Sequence, residues 1–92
     1  MIRGIRHRGL KRLYFQDDRS KLRPDLVDKI VLLLGRLDAA VTIKDMDVPG
    51  FDLHRLTGDL KNFWSITVNR NWRIVFRFED GDAYDVDFLD YH

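Results

Sequence analysis

Three runs of alternating apolar and polar residues occupy the last third of the chain. Trp64, Ile66 and Val68 share one phase of the first run, Trp72, Ile74, Phe76 and Phe78 of the second, and Tyr84, Val86 and Phe88 of the third. A period of two is the signature of half-buried strands. Asn69-Arg70-Asn71 separates the first two runs and Asp80-Gly81 the last two; these residue types tolerate the positive φ that hairpin turns require. The pattern predicts an antiparallel meander. Its opposite phase carries Ser65, Thr67 and Asn69, then Arg73, Val75 and Arg77, a polar and cationic surface for a sheet.

Upstream, the period changes. Residues 1–6, with Ile2 and Ile5, read as a first edge strand whose arginines discourage pairing with other chains. From about Arg8 to Asp18, Leu10, Leu13, Tyr14 and Phe15 fit a short amphipathic helix with Arg8, Lys11 and Arg12 outside. A second helix starts at Pro24, with Asp25 and Asp28 near its positive end, and closes near Ala40. Leu26, Ile30, Leu33, Leu34 and Leu37 recur at helical spacing, and Val27 and Val31 widen the stripe to make this the main core helix. Gly35 inside it is tolerable if it lets the helix approach another element closely. Residues 42–50 read as a loop with one helical turn, closed by Pro49-Gly50, and Phe51, Leu53 and Leu56 as a short strand leading into the meander. The order β-α-α-β-β-β-β is an α+β sandwich, with two helices packed on one face of a mainly antiparallel sheet.

Length makes this one domain spanning residues 1–92, and 45% apolar residues supply a modest core. With no cysteine, neither a disulfide framework nor a thiolate metal site can hold the chain together. No run approaches the roughly 18 apolar residues of a spanning helix, and the basic N-terminus lacks the apolar core of a signal peptide. The chain is therefore expected in the cytoplasm, away from membranes. A net charge of +1 hides an asymmetry: residues 1–36 hold ten Lys/Arg against four Asp, and residues 37–92 six against eleven Asp/Glu. The basic third either follows a polyanion such as RNA or is the solvated surface of two helices; composition alone favours the second.

The chemistry-bearing residues are few. His54 sits on the short strand before the meander, where a lone histidine is more often a structural hydrogen-bonding residue than a catalyst. Its weight rises because Arg73 and Arg77 can face the same cleft as the terminal Asp90, Tyr91 and His92. The chain end has two readings. It is a frayed terminus without a purpose, or it is two proton-transfer groups and a phenol anchored by a strand. With arginine to bind phosphate bidentately, the second is a kit for phosphodiester cleavage. RNA makes that kit sufficient without a metal or other cofactor, since its 2′-hydroxyl is an internal nucleophile beside the phosphorus. The carboxylates Asp80, Asp82, Asp85, Asp87 and Asp90 lack a histidine at metal-ligand spacing, and Asp80 and Asp82 read as turn residues around Gly81. Trp64 and Trp72 read as core, and His7 is given no role.

Taken together, Val48-Pro49-Gly50, Leu53-His54, Leu56, Gly58-Asp59, Trp64-Ser65, Val68, Asn71-Trp72-Arg73, Phe76-Arg77-Phe78, Gly81-Asp82-Ala83 and Asp90-Tyr91-His92 resemble the HigB-type toxins of bacterial toxin-antitoxin modules. These toxins, also called plasmid maintenance system killer proteins, belong to the RelE/ParE superfamily. The resemblance spans essentially the whole chain. It implies a RelE-like microbial ribonuclease fold and a toxin that enters the A site of the 70S ribosome and cuts mRNA, inhibiting translation. It further implies a cognate helix-turn-helix antitoxin of the HigA type, through which alone the toxin meets operator DNA. By position, the family's catalytic residues fall on His54, Arg73, Asp90, Tyr91 and His92. Members often read His-Pro-Leu-Lys-Gly where this chain has His54-Arg55-Leu56-Thr57-Gly58, so the lysine expected to contact RNA is Thr57 here. Arg55, Lys61 and Arg70 are the candidate replacements, with Arg77 a further RNA-binding cation. Two alternatives stand beside this reading: a non-nucleolytic toxin that acts on DNA gyrase in the manner of ParE proteins, and a non-catalytic nucleic-acid-binding module.

Overall fold

A computed structural model describes residues 1–90. Two helices, α1 (Arg8–Gln16) and α2 (Pro24–Ala39), precede four strands, β1 (His54–Arg55), β2 (Trp64–Thr67), β3 (Trp72–Glu79) and β4 (Asp82–Asp90). The strands form one antiparallel sheet in the order β1-β2-β3-β4. The expected first strand is present as two isolated parallel bridges, Ile2 to Ala83 and Ile5 to Val86, along the free edge of β4. This layout is the α+β sandwich that the hydrophobic pattern predicts.

Local chemistry explains the helix ends. His7 caps α1 by accepting the Leu10 N–H at its Nδ1, 3.2 Å away, and Asp17 ends the helix in the left-handed region at φ 53°. Pro24 opens α2, with Asp25 in its first turn and Arg36 in its last, both favourable to the helix dipole. Leu26, Val27, Ile30, Leu33, Leu34 and Leu37 bury one face of α2 against Ile66, Val68, Ile74, Phe76, Val86 and Phe88 of the sheet. Met46, in the 3-10 turn Ile43–Met46, closes the core below. Trp64 and Trp72 pack on that core as expected, and Trp72 stacks on Phe88 with ring centres 4.6 Å apart.

Four expectations need correction. Phe15 is 63% exposed, because it stands two residues, about 200° of helical turn, after buried Leu13, and Val31, at 39%, is also exposed. Gly35 does not mediate a close approach, since a Cβ built on it would meet nothing within 4 Å. The β2–β3 turn needs no positive φ: Asn69 Oδ1 accepts the N–H groups of Asn71 and Trp72, both at 2.9 Å, and its side chain makes the turn. Only Asp80-Gly81 turns in the expected way, with φ of 51° and 82°.

The fourth correction concerns the phase of β4. Val75 pairs with Asp87 but Arg77 with Tyr84, so β4 carries one extra residue, and Asp85 adopts φ 54° there. Such a bulge shifts the alternation by one. Ala83, Val86 and Phe88 therefore face the core, while Tyr84 turns outward beneath the Arg77 guanidinium, 5.4 Å from its ring centre.

Candidate active site

In the antiparallel ladder, directly opposed residues share a face. His54 stands opposite Ser65, Ser65 opposite Val75, Thr67 opposite Arg73, and Arg73 opposite Leu89. His54, Ser65, Thr67 and Arg73 thus occupy the face turned away from the helices, as the alternation predicts. Ser65 is buried under this surface, and Arg73 is mostly buried.

The segment before β1 completes the arrangement. The Phe51 carbonyl accepts the Thr67 N–H at 2.8 Å, extending the β1–β2 pairing by one bond. Asp52 then takes φ 53°, a conformation that aspartate tolerates better than most residues, and this ends the regular ladder. Its backbone carbonyl lies 2.8 Å from His54 Nδ1, and its carboxylate Oδ1 3.4 Å from the same nitrogen. On its other side, Asp52 Oδ2 accepts from Thr67 Oγ1 at 3.4 Å and lies 3.6 Å from Arg73 Nη1. Arg73 Nη1 itself donates to Thr67 Oγ1. One aspartate therefore touches both residues that the sequence singles out in this part of the chain.

These side chains line an open cleft of about 440 Å³. Asp52, His54, Arg55, Thr57, Ser65 and Arg73 supply its polar wall, and Leu56 and Leu60 its apolar one. A guanidinium offers parallel donors to the oxygens of a phosphate, and an imidazole at the same cleft can take or give a proton. Among the described residues, no three His, Cys, Asp or Glu side chains gather in a way that could hold a metal ion.

The remaining candidates fall at differing distances from this centre. Arg55 lines the cleft and also lies over the Trp64 ring, 5.5 Å from its centre. Lys61 follows the 3-10 turn Gly58–Leu60, and Arg70 is exposed in the β2–β3 turn; neither lines the cleft. Arg77 belongs to a separate ion cluster, bonded to Asp85 at 2.8 Å and Glu79 at 2.9 Å. Its hydrogen bond to Asp85 raises the arginine's pKa and lowers the aspartate's. Asp90 ends β4 opposite Trp72, so its ladder position is in the core-facing phase, one residue on from Leu89, which pairs with Arg73 on the site face. Tyr91 and His92, assigned to the site by resemblance, lie outside the described residues.

Asp52 is the site residue that sequence reasoning misses. It lies between Phe51 and Leu53 in what reads as a strand, where alternation makes it an ordinary exposed residue. The available signal is its place two residues after Gly50, itself at φ 93°, since Asx residues favour such turns.

Residues 3–92 match the family model HigB-like toxin, described as the RelE-like toxin of type II toxin-antitoxin system HigB. Among curated proteins, the chain is 41% identical to Endoribonuclease HigB of Proteus vulgaris over 92 residues, covering 100% of both. It is 34% identical to Toxin HigB-1 of Vibrio cholerae serotype O1, covering 100% of this chain and 98% of the relative. Among solved structures, the toxin-antitoxin complex YoeB-YefM from Staphylococcus aureus aligns with a TM-score of 0.62 at 22% identity, over 100% of this chain and 95% of that one. A YafQ mutant from E. coli aligns with a TM-score of 0.61 at 16% identity, over 98% and 91%. At such identities the structural likeness speaks for the fold.

Proposed function

The chain belongs to the family of RelE-like HigB toxins of type II toxin-antitoxin systems, and on that premise we propose that it is an endoribonuclease that cuts mRNA in the A site of the translating ribosome. The observation that carries this reading is the meeting of His54 and Arg73, from different strands, at one polar cleft. The identity to Endoribonuclease HigB of Proteus vulgaris supports the reaction class.

The 2′-hydroxyl of the mRNA attacks its own phosphate, leaving a 2′,3′-cyclic phosphate and a free 5′-hydroxyl. Arg73 stabilises the extra negative charge of the phosphorane. His54 or Asp90 removes the 2′-proton, His92 protonates the leaving 5′-oxygen, and Tyr91 orients or stacks on a nucleotide. Arg55, Lys61, Arg70 and Arg77 contact the RNA. Arg55 is the best placed of the four, because it shares the cleft with Thr57, where related toxins often carry lysine.

Membership of the family implies an antitoxin as partner. We propose that it is of the helix-turn-helix HigA type, that operator DNA is reached through it, and that the toxin works in the cytoplasm. No helix of the described residues is long and apolar enough to cross a membrane.

Induction of the wild type and of a folded variant lacking Tyr91 and His92, with mRNA ends mapped by primer extension, tests the proposal. Codon-positioned cuts should appear with the wild type and vanish with the truncated form. Growth arrest by both forms without new mRNA ends would favour a gyrase-directed toxin instead.

A further inference from the structure

Resting on the reading of the cleft as a ribonuclease site, we propose that Asp52 is a positioning residue that sets the proton on His54 through its backbone carbonyl and aligns Arg73 through its carboxylate. A carbonyl oxygen only accepts hydrogen bonds. At 2.8 Å from the Asp52 carbonyl, His54 Nδ1 must therefore carry the ring proton, and in the neutral imidazole the lone pair is on Nε2. That tautomer makes His54 the base: Nε2 takes the 2′-proton as the O2′–P bond forms, and the P–O5′ bond breaks with a proton delivered to O5′ by the acid. The carbonyl can serve this role because Asp52 is at φ 53°; in the extended conformation that alternation predicts, the same group would point along the ladder.

The carboxylate acts on the other partner. Asp52 Oδ2, Thr67 Oγ1 and Arg73 Nη1 contact one another, which restrains the guanidinium. Thr67 is Arg73's direct neighbour across the ladder, so two members of the set sit on paired strands, and Asp52 reaches them from the segment just before β1. This alignment has an electrostatic cost. A carboxylate beside the arginine repels the RNA phosphate, so Asp52 weakens substrate binding while improving the geometry of the bound state.

Two variants separate these effects. Asp52→Asn removes the charge and keeps a residue that tolerates positive φ. Asp52→Ala removes the charge and also disfavours the φ that aims the carbonyl. The full chain, labelled with ¹⁵N-histidine, is examined by NMR at neutral pH, with His54→Gln assigning the signals; cleavage is followed on programmed ribosomes. The wild type and Asp52→Asn should show His54 in the Nδ1–H form, and Asp52→Ala a shift toward Nε2–H. Asp52→Asn should lower KM about twofold to fivefold, as expected for an exposed charge pair, and lower kcat roughly tenfold. A mere structural role would leave the tautomer unchanged and would not lower both constants together. Wild-type His54 in the Nε2–H form, or unchanged kcat and KM in folded Asp52→Asn, overturns the proposal. The NMR arm needs no RNA. If the wild type fails to cleave mRNA while the tautomers follow this pattern, the ribonuclease reading falls and the positioning of His54 by Asp52 stands.

Discussion

Arg73 of β3 donates from Nη1 to the hydroxyl of Thr67, the residue directly opposite it on β2. Geometry of this kind uses the planar fork of arginine as well as its charge, because Nη1 is aimed at Thr67 while the guanidinium borders the cleft. Arg73→Lys should therefore lower cleavage by about tenfold to a hundredfold, the worth of a charged hydrogen bond, and leave the melting temperature little changed. Cleavage within twofold of the wild type would show that charge alone suffices.

The second prediction concerns the cation that this chain lacks. Thr57 lines the cleft beside Arg55, so a lysine introduced at Thr57 enters the same wall. Arg55→Ala should weaken RNA binding and reduce its salt dependence by about one phosphate contact, and Thr57→Lys should restore both. Binding measured across a salt series checks this. Failure of Thr57→Lys to compensate would place the substitute contact at Lys61 or Arg70.

His7 gives the stability of the chain a pH dependence separate from its activity. Burial against the Phe88 ring pushes its pKa below the usual 6.5, with Asp87 opposing, and its Nδ1 must stay unprotonated to cap Leu10. A lowered folded-state pKa means that this contribution is complete above pH 6.5 and falls as acid protonates the unfolded chain first. Urea unfolding should show stability declining below pH 6.5 by at most about 1.4 kcal/mol per pH unit from this residue. His7→Asn, which keeps a capping oxygen, should remove that part of the slope. An unchanged slope in the variant would contradict the assignment.

Much of this fold is legible in the sequence, because helical and strand periods each bury one face. Helix α2, from Pro24 to its last turn, and the inner phases of β2 and β3 follow from that rule. The rule fails at β4 because a bulge at Asp85 inserts one residue that no alternation can signal, and Tyr84 changes faces as a result. The candidate site is partly legible. His54 and Arg73 are chemically distinctive and sit in phases that meet, whereas Asp52 acts through an unusual φ and a backbone carbonyl, neither of which residue identity reveals.

Gly35 illustrates the opposite error, a constraint inferred where none exists. A Cβ at this position would meet open space, so Gly35→Ala should gain about 0.5 to 1 kcal/mol from helix propensity. For a domain of this size that corresponds to a rise of a few degrees in melting temperature, with cleavage unaffected. A fall in stability would show that a side chain at this position meets a neighbour after all.

Cleavage of mRNA on the ribosome by the proposed imidazole and guanidinium is read from the chemistry of the ends left on a defined mRNA by ribosomes with an open A site, with the wild type compared against folded His54→Ala. Cleavage should fall within the A-site codon, leave a 2′,3′-cyclic phosphate and a 5′-hydroxyl, and be slowed at least about a hundredfold by the substitution. Intact mRNA with the wild type, or cleavage undiminished in His54→Ala, would contradict this mechanism.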